Sequence, residues 1–399
     1  MTKQKKILVI SHLYLFPNSK LRRGGLIIHE SLVNFKRTGK NMEVLFFLPF
    51  IWSYLKYFNF NWKKFNFSPY EIDNIIIHPI FYIPRLSKVM KKLDLYLKML
   101  AFNFFYLQSY NEKNGFEFVY GQTLYPDGPL LSKISKKVNS PYIVNMRGSD
   151  IHSYSANNTK IHSQSIKVLN ESKLVLAVSE KLKDTSIDIF GKNYVSHILY
   201  TICQINTFKK NRPISNSLNN IIYIGALVES KGVYDLIEAI SLLSKSKKYK
   251  LNLVGSGDRK RIDKLLKIKK ISNIVSFKGE ISNRDMLVEE INKADILLFP
   301  SHNEGLPNAV VECVACERIV ICTDVGGVRE ITNQNLAFQV IQPKNINAII
   351  EAIKKLETVT VEELRRQANR NRKKILERFS PDSQLITFRK ILEKIGKKS

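Results

Sequence analysis

The feature that most constrains this chain is a short, wholly apolar run, Ile296-Leu-Leu-Phe299. It stops at Pro300, passes through Ser301-His-Asn-Glu-Gly-Leu-Pro307 and enters the helical pattern Asn308-Ala-Val-Val-Glu-Cys-Val-Ala315. An unbroken apolar run of this length suits a strand covered on both faces, as parallel sheets require. Strand, loop and helix in that order form half of a βαβ unit, and ligands of such open sheets bind outside the carboxyl ends of the strands. Glu304 therefore falls in a ligand-facing loop. Glu312 falls on the helix, one turn after Asn308 and on the same face. Pro307 suits the first helical position, and the free N–H groups of that turn can meet an anion or a sugar oxygen. Two such carboxylates suit a polyhydroxylated ligand, since each accepts hydrogen bonds from vicinal hydroxyls. Taken as a pair alone, the two glutamates fit a capped surface helix equally well; the flanking Asn-Glu-Gly-Leu-Pro favours the ligand.

The same strand–loop–helix grammar recurs along the chain. Lys6–Ile10 reads as a buried parallel strand, and Gly24-Gly25 opens the helix after it, a geometry in which backbone and helix N-terminus can approach phosphate. A glycine pair is also an ordinary turn. Further strands are expected at Met42–Leu48, Phe116–Tyr120, Pro141–Met146 and Leu174–Ser179, with Arg147-Gly-Ser-Asp150 at the carboxyl end of one of them. Lys209–Asn220, polar with Pro213, reads as a linker. A second series starts at Asn220–Ile224 and continues through Gly225–Gly232 with Lys231, a helix at Tyr234–Leu243, the strand Lys250–Val254, the turn Gly255-Ser-Gly257, Ile274–Phe277, Gly279–Ile281, and Ile319–Cys322. The last helical pattern is Asp382–Ile395. At 399 residues the chain suits two domains of this kind.

Charge narrows the partners. The formal net charge of +28 attracts phosphates of any kind, whether in nucleic acid, anionic lipid or a diphosphate. The basic residues are spread along the chain and not gathered with a nucleic-acid reader motif, so no nucleic-acid partner is expected. Between Phe50 and Phe67, aromatic residues alternate with Lys56, Lys63 and Lys64, and Lys88, Lys91, Lys92 and Lys98 continue the basic character. This suits an anionic membrane surface or a lipid-linked acceptor, and equally a loop packing its aromatics on the domain, with stacking on sugar rings as a third reading. No uncharged stretch reaches the length of a membrane span; Leu95–Tyr106 comes nearest and Lys98 interrupts it. With no signal-peptide pattern, the expectation is a cytoplasmic protein, either free or peripheral on the inner face of the bacterial membrane. Cys203, Cys313, Cys316 and Cys322 make no disulfide framework, and a lone Cys-x-x-Cys inside an apolar helix reads as buried small residues, not zinc ligands.

Ser301-His-Asn-Glu-Gly-Leu-Pro-Asn-Ala-Val-Val-Glu312, followed by Val325-Gly-Gly-Val-Arg-Glu330, resembles the retaining glycosyltransferases of family 4. Leu124-Tyr-Pro-Asp-Gly128 with Arg147-Gly-Ser-Asp-Ile151 resembles the polysaccharide- and teichuronic-acid-forming branch. The resemblance implies a GT-B fold, two Rossmann-like doubly wound α/β domains facing across a cleft. The expected parts are an acceptor-binding domain at 1–200, a linker at 201–219, a nucleotide-sugar domain at 220–380, and a C-terminal helix at 381–399 packing back on the first domain. It implies a hexosyl-type transferase using a UDP- or GDP-sugar with no cofactor and no essential metal, and a glycan or lipid-linked acceptor. Lys231, Glu304, Arg147 and Asp150 are the implied catalytic residues. Gly24, Gly25, Gly255, Gly257, Ile281, Gly305, Leu306, Asn308 and Glu312 are the implied donor contacts, with Glu312 on the ribose and the backbone near Ile281 on the base. Three positions depart from the family pattern: Arg147 replaces a histidine and cannot serve as a general base, Ala226 replaces a phosphate-gripping arginine, and Thr201–Gln204 replaces the usual Asn-Gly-x-Asp crossing. The competing readings are a basic nucleic-acid-binding protein and a GT-B epimerase or phosphorylase; the Asn-Glu-Gly-Leu-Pro loop and glutamate spacing argue against the latter two.

Overall fold

The computed structural model describes residues 6–14, 23–49, 69–82, 115–155, 158–191, 194–245 and 249–396. The aromatic–lysine stretch 50–67, the lysines at 88–98 and the apolar run 95–106 lie outside them, as does Arg22. The chain divides into two units. One comprises Met1–Val178, Leu182–Leu199 and Leu385–Ser399; the other comprises Ser179–Lys181 and Tyr200–Gln384.

In the first unit the chain forms β1 (Lys6–Ser11), α1 (Arg23–Lys36), β2 (Met42–Pro49), β3 (Tyr70–Ile72), β4 (Ile75–Tyr82) and β5 (Phe116–Gly121). It continues through α2 (Gly128–Lys137), β6 (Tyr142–Met146), a π-helical turn (Asp150–Ser155), α3 (Thr159–Glu171), β7 (Leu174–Ala177), α4 (Glu180–Phe190) and β8 (Ser196–Ile198). Sheet order is β3-β4-β2-β1-β5-β6-β7-β8, parallel except where β3 meets β4. β1 lies near the middle with Ile7, Leu8, Val9 and Ile10 sealed on both faces, which is why its sequence shows no polar alternation.

The second unit repeats the scheme: β9 (Asn220–Ile224), a 3₁₀ turn (Glu229–Lys231), α5 (Val233–Leu243), β10 (Lys250–Val254), α6 (Arg259–Ile268), β11 (Val275–Gly279), α7 (Arg284–Lys293), β12 (Ile296–Phe299), α8 (Asn308–Ala315), β13 (Ile319–Thr323), a 3₁₀ turn (Gly326–Glu330), β14 (Phe338–Ile341), α9 (Ile346–Lys355) and α10 (Val361–Phe379). Sheet order is β11-β10-β9-β12-β13-β14, all parallel. From β9 the chain winds outward through β10 and β11, then returns to pair β12 on the other side of β9. The winding direction therefore reverses between β9 and β12, at the carboxyl ends of these two neighbouring strands.

The stretch 201–219, expected as a linker, packs on the second unit instead. Ile214 and Leu218 are buried in its core. The buried Asp295 carboxylate accepts the Ser215 N–H at 2.6 Å, the Ser215 hydroxyl at 2.8 Å and the Asn220 N–H at 3.0 Å. Arg318, 1% exposed, donates to the Arg212 carbonyl at 2.6 Å. Polar composition suggested freedom, but buried charges on the domain needed partners and found them in that stretch. The last helix, α11 (Pro381–Gly396), buries Phe388 and Ile391 in the first unit's core. There the Phe388 ring stacks on Phe35 with centroids 3.8 Å apart.

Candidate functional site

The reversal between β9 and β12 is where an open α/β sheet binds its ligand, and the loops that follow these two strands meet there. The loop after β9 carries Lys231; the loop after β12 carries Glu304. Their side chains form an ion pair at 2.6 Å, with Lys231 30% and Glu304 15% exposed. The Lys231 ammonium also donates to the Asn303 carbonyl at 3.0 Å. Ser301 donates to the same Glu304 oxygen at 2.8 Å. The loops are joined again where the His302 N–H donates to the Ser230 carbonyl at 3.0 Å and the His302 ring meets Asp235 at 2.8 Å. Tyr223, a β9 residue, donates its hydroxyl to the Ala226 carbonyl at 2.7 Å. Burial, then the nearby Glu304 charge, lifts its phenol well above the ordinary value, so it stays a neutral donor. Gly232 ends the lysine turn in the left-handed region at φ 68°, with its Cα against Pro300; a Cβ there would lie 1.8 Å from the Pro300 carbonyl oxygen. That contact gives a physical reason for the Lys-Gly pair.

A third loop closes the base of the site. Gly326, at φ 54°, lies against Glu304 and Gly305, and a Cβ would come within 2.4 Å of the Glu304 carbonyl oxygen. The Gly305 carbonyl accepts the Gly327 N–H at 2.8 Å and the Ser179 hydroxyl at 2.9 Å. Thr323 donates to the Ser301 carbonyl. Glu330 accepts the N–H groups of Glu180 and Lys181, which fall with this unit, at 2.9 Å each, and the Tyr200 hydroxyl at 2.9 Å. The Val-Gly-Gly-Val-Arg-Glu signature thus shapes the backbone around Glu304.

Glu312 faces inward from α8, 4% exposed, and pairs with Arg284 at 3.0 Å. The Arg284 guanidinium lies over the Phe208 ring, 5.3 Å from its centroid. Arg284 is the first residue of α7, whose N-cap Asn283 accepts the Met286 N–H at 2.9 Å. Pro307 is the N-cap of α8 and not its first helical residue, and Asn308 opens the helix. Leu306 is buried against Gly327. The turns after β9 and β10 lie side by side, with the Gly225 N–H donating to the Val254 carbonyl at 2.9 Å and the Leu227 N–H to the Ser256 carbonyl at 2.8 Å. Gly255 and Gly257 are therefore part of the same rim. Ile281 is half-buried in the turn that follows β11.

The first unit has its own reversal, between β1 and β5, and Arg147 and Asp150 lie at this sheet's carboxyl edge. Arg147 donates to the Gln122 carbonyl at 2.9 Å and to its side-chain oxygen at 2.7 Å. Asp150 is fully buried. Its carboxylate accepts the N–H groups of Gly148 at 2.8 Å, Leu124 at 3.0 Å and Arg147 at 3.1 Å. Burial raises its pKa above the usual carboxylate value while those amides work to lower it. Asp150 is thus a loop-shaping group that holds 147–148 to 124. Beside them, His12 at the end of β1 is fixed by Asp127: the His12 N–H donates to one carboxylate oxygen at 3.1 Å, and the ring Nδ1 meets the same oxygen at 3.0 Å. Thr123 donates to the other at 2.9 Å. Gly25, in the first turn of α1, packs on the backbone of Tyr14.

Arg284, Tyr223 and the pairs His302–Asp235 and His12–Asp127 were not singled out from the sequence, and Ser301 appeared there only as part of its loop. The partners in those pairs stand 67 and 115 residues apart in the chain, and only the strand-end positions of His12 and His302 could have drawn attention to them. Among the described residues no group of three or more His, Cys, Asp or Glu side chains could hold a metal ion, and all four cysteines are buried. Among the described residues no helix is long and apolar enough to cross a membrane.

Comparison with known proteins agrees with this architecture. Residues 204–375 match the family described as Glycosyl transferases group 1. The Bacillus subtilis (strain 168) protein TuaC, whose name assigns it to teichuronic acid biosynthesis as a glycosyltransferase, is 27% identical over 384 residues, 88% of this chain and 89% of its own. The capsular polysaccharide biosynthesis glycosyltransferase CapM of Staphylococcus aureus is 29% identical over 240 residues, 53% of this chain and 58% of its own. Among solved structures, sucrose-phosphate synthase from Thermosynechococcus elongatus superposes with a TM-score of 0.82 at 15% identity, covering 98% of this chain and 99% of that one. Anabaena HepE in complex with UDP and glucose superposes with a TM-score of 0.74 at 16% identity, covering 98% of this chain and 100% of that one. The fold is that of the GT-B glycosyltransferases, two parallel-sheet α/β domains in one chain.

Proposed function

We propose that this glycosyltransferase, whose group 1 domain spans residues 204–375, moves a sugar from a nucleotide-sugar donor to a glycan or lipid-linked acceptor, with retention at the anomeric carbon, during assembly of a bacterial surface polysaccharide. The observation that carries this reading is the Lys231–Glu304 pair at 2.6 Å, set at the strand reversal of the second unit. A flexible ammonium beside a rigidly held carboxylate gives one group for a diphosphate and one for sugar hydroxyls.

In this reading Lys231 carries the charge that grows on the departing nucleoside diphosphate, a contribution of about 3 kcal/mol per well-placed contact. Glu304, held by Ser301, orients the donor sugar, and the backbone of Gly305–Leu306 lines its phosphate side. Glu312 accepts the ribose hydroxyls, with Asn308 beside it. Gly255, Gly257 and the backbone near Ile281 border the nucleoside. Gly24 and Gly25 present the first helix N-terminus of their own unit to phosphate, and Arg147, positioned by Gln122, serves the acceptor or the departing group while Asp150 shapes its loop. The positive charge comes from the chain's own side chains and no metal is required. With no enzymatic nucleophile assigned, the acceptor hydroxyl attacks on the face the leaving group departs from. Anabaena HepE, a structural neighbour, is known in complex with UDP and glucose, which supports the donor class. The polysaccharide pathways in the names of the relatives support the setting. The net charge of +28 and the aromatic–lysine sequence at 50–67 favour work at an anionic membrane surface.

A thermal-shift panel of UDP, GDP and their sugars tests this. A ligand at 100 times its Kd stabilises by about 2.7 kcal/mol, so one nucleotide series is expected to raise the melting temperature by several degrees. Sedimentation with anionic vesicles at low salt tests the membrane contact. A flat response to every nucleotide and sugar nucleotide would end the donor assignment.

A further inference from the structure

We infer that Arg284 is the residue that positions Glu312 for the nucleotide's ribose, and that the Arg284–Glu312 pair, not Glu312 alone, sets the preference for ribose over deoxyribose. This rests on the assignment of Glu312 to the ribose made above.

Both charges of the pair are withdrawn from water. Glu312 is 4% exposed and the Arg284 side chain is 14% exposed. Burying two charges carries a desolvation penalty that a pair's attraction often fails to exceed, so a pair like this is weak evidence for stability and calls for another explanation. The surrounding structure fixes the arginine more tightly than a simple counter-ion needs. Asn283 caps the helix that Arg284 begins, which sets where the side chain leaves the backbone. The guanidinium lies 5.3 Å from the centroid of the Phe208 ring, itself 1% exposed. Phe208 is pinned in turn because its carbonyl accepts the Arg372 guanidinium at 2.9 Å. The planar guanidinium therefore lies over an aromatic face and donates to Oε1 of Glu312 at 3.0 Å.

A carboxylate that must accept from two hydroxyls on one sugar edge has to point in one direction. A glutamate side chain turns about several bonds, and fixing them beforehand removes an entropy cost at binding. A charged hydrogen bond from a planar arginine held over an aromatic ring does this, and a lysine, a point donor on a flexible stem, does it less well. The discrimination follows because a site built to bond a hydroxyl leaves buried polar groups unsatisfied when the hydroxyl is missing. α8 itself does not depend on this contact, since its other side chains from Ala309 to Ala315 are buried in apolar packing. Arg284 therefore acts through Glu312 and touches neither donor sugar nor acceptor.

The test compares binding of a ribonucleoside diphosphate and its 2′-deoxy analogue by calorimetry, using whichever base the wild type prefers, for wild type, E312Q, R284M, R284K and the E312Q/R284M double variant. Losing a hydrogen bond to a charged group costs roughly 10- to 100-fold, so the wild type is expected to prefer the ribose form by about 10-fold or more. R284M is expected to lower that preference to near unity, R284K to retain part of it, and the double variant to be no worse than either single change, the signature of one coupled unit. Circular dichroism and melting temperature identify variants that fail to fold, and the ratio of the two affinities is read only on folded protein. R284K serves as the folded variant if R284M does not fold. If E312Q leaves the ribose preference intact, the ribose assignment of Glu312 fails. If E312Q abolishes the preference while folded R284M and R284K both keep it, the assignment stands and the role given to Arg284 is wrong.

Discussion

The substitution Lys231→Ala separates a ligand-gripping lysine from a loop staple. As a staple, Lys231 ties the loop after β9 to the loop after β12 through Glu304 and the Asn303 carbonyl. That pair is partly exposed, 30% and 15%, and pairs of this kind are worth at most about 1 kcal/mol. The two loops are also held by the Ser230–His302 backbone bond, by His302–Asp235 and by the packing of Gly232 on Pro300, so the geometry survives its loss. At roughly 2–4 °C per kcal/mol for a domain of this size, the melting temperature should fall by no more than about 4 °C. As a grip on the leaving diphosphate, the ammonium supplies about 3 kcal/mol in the transition state. Each 1.36 kcal/mol is tenfold, so turnover should fall about 100-fold. The assay is initial rate under saturating donor and acceptor, alongside calorimetric melting. Lys231→Arg should recover part of the rate and Lys231→Met none. Two results would reassign Lys231 to structure. One is unchanged turnover in a folded Lys231→Ala enzyme; the other is a melting point lowered by about 10 °C, with the rate falling in proportion to the unfolded fraction.

Other outcomes follow from the same geometry. Glu312→Ala strands the Arg284 guanidinium in a buried setting; breaking such a pair costs about 3–5 kcal/mol, so a melting temperature lower by on the order of 10 °C should accompany the loss of nucleotide binding, and a fully stable Glu312→Ala would show the pair to be hydrated. Gly326→Ala forces a side chain onto the Glu304 and Gly305 carbonyls from a left-handed backbone, and should weaken donor binding at least tenfold while costing roughly 1–3 kcal/mol; wild-type affinity would mean the loop shifts at no cost. Burial works against the charged Glu43 carboxylate, yet His78 and Lys6 outweigh it and hold its pKa below the usual 4.5. A depressed folded pKa stabilises above the unfolded value, and that stability is lost as pH falls through the folded one. Melting curves from neutral pH down to about pH 3 should therefore show a shallower acid loss for Glu43→Gln than for wild type, and parallel curves would refute the coupling.

Much of the fold was legible because parallel sheets write their strands as unbroken apolar runs. Ile7–Ile10, Ile296–Phe299 and Ile319–Cys322 are each buried on both faces, and each run was bounded to within a residue or two of the strand it forms. Glycines at 232 and 326 marked loops because the backbone there takes a left-handed turn or meets another carbonyl. What stayed hidden was pairing. The polar stretch 209–220 read as free linker because its composition is polar, while the buried carboxylate that holds it, Asp295, stands 80 residues beyond Ser215 in the chain. Asp150 carries a catalytic role by resemblance; the backbone donors of Leu124, Arg147 and Gly148 that surround it are visible only when the turn is folded.

From its residues alone the chain determined which segments become strands and which loops carry carboxylates and lysine. Local propensity and burial pattern are written over a few neighbouring positions, so they survive in one dimension. Only the tertiary structure decided that Lys231 meets Glu304, that Glu312 answers to Arg284 and that Asp150 serves the backbone. Most of those are choices among partners tens of residues apart, and a charge finds its partner only after sheet order has brought two loops to the same edge.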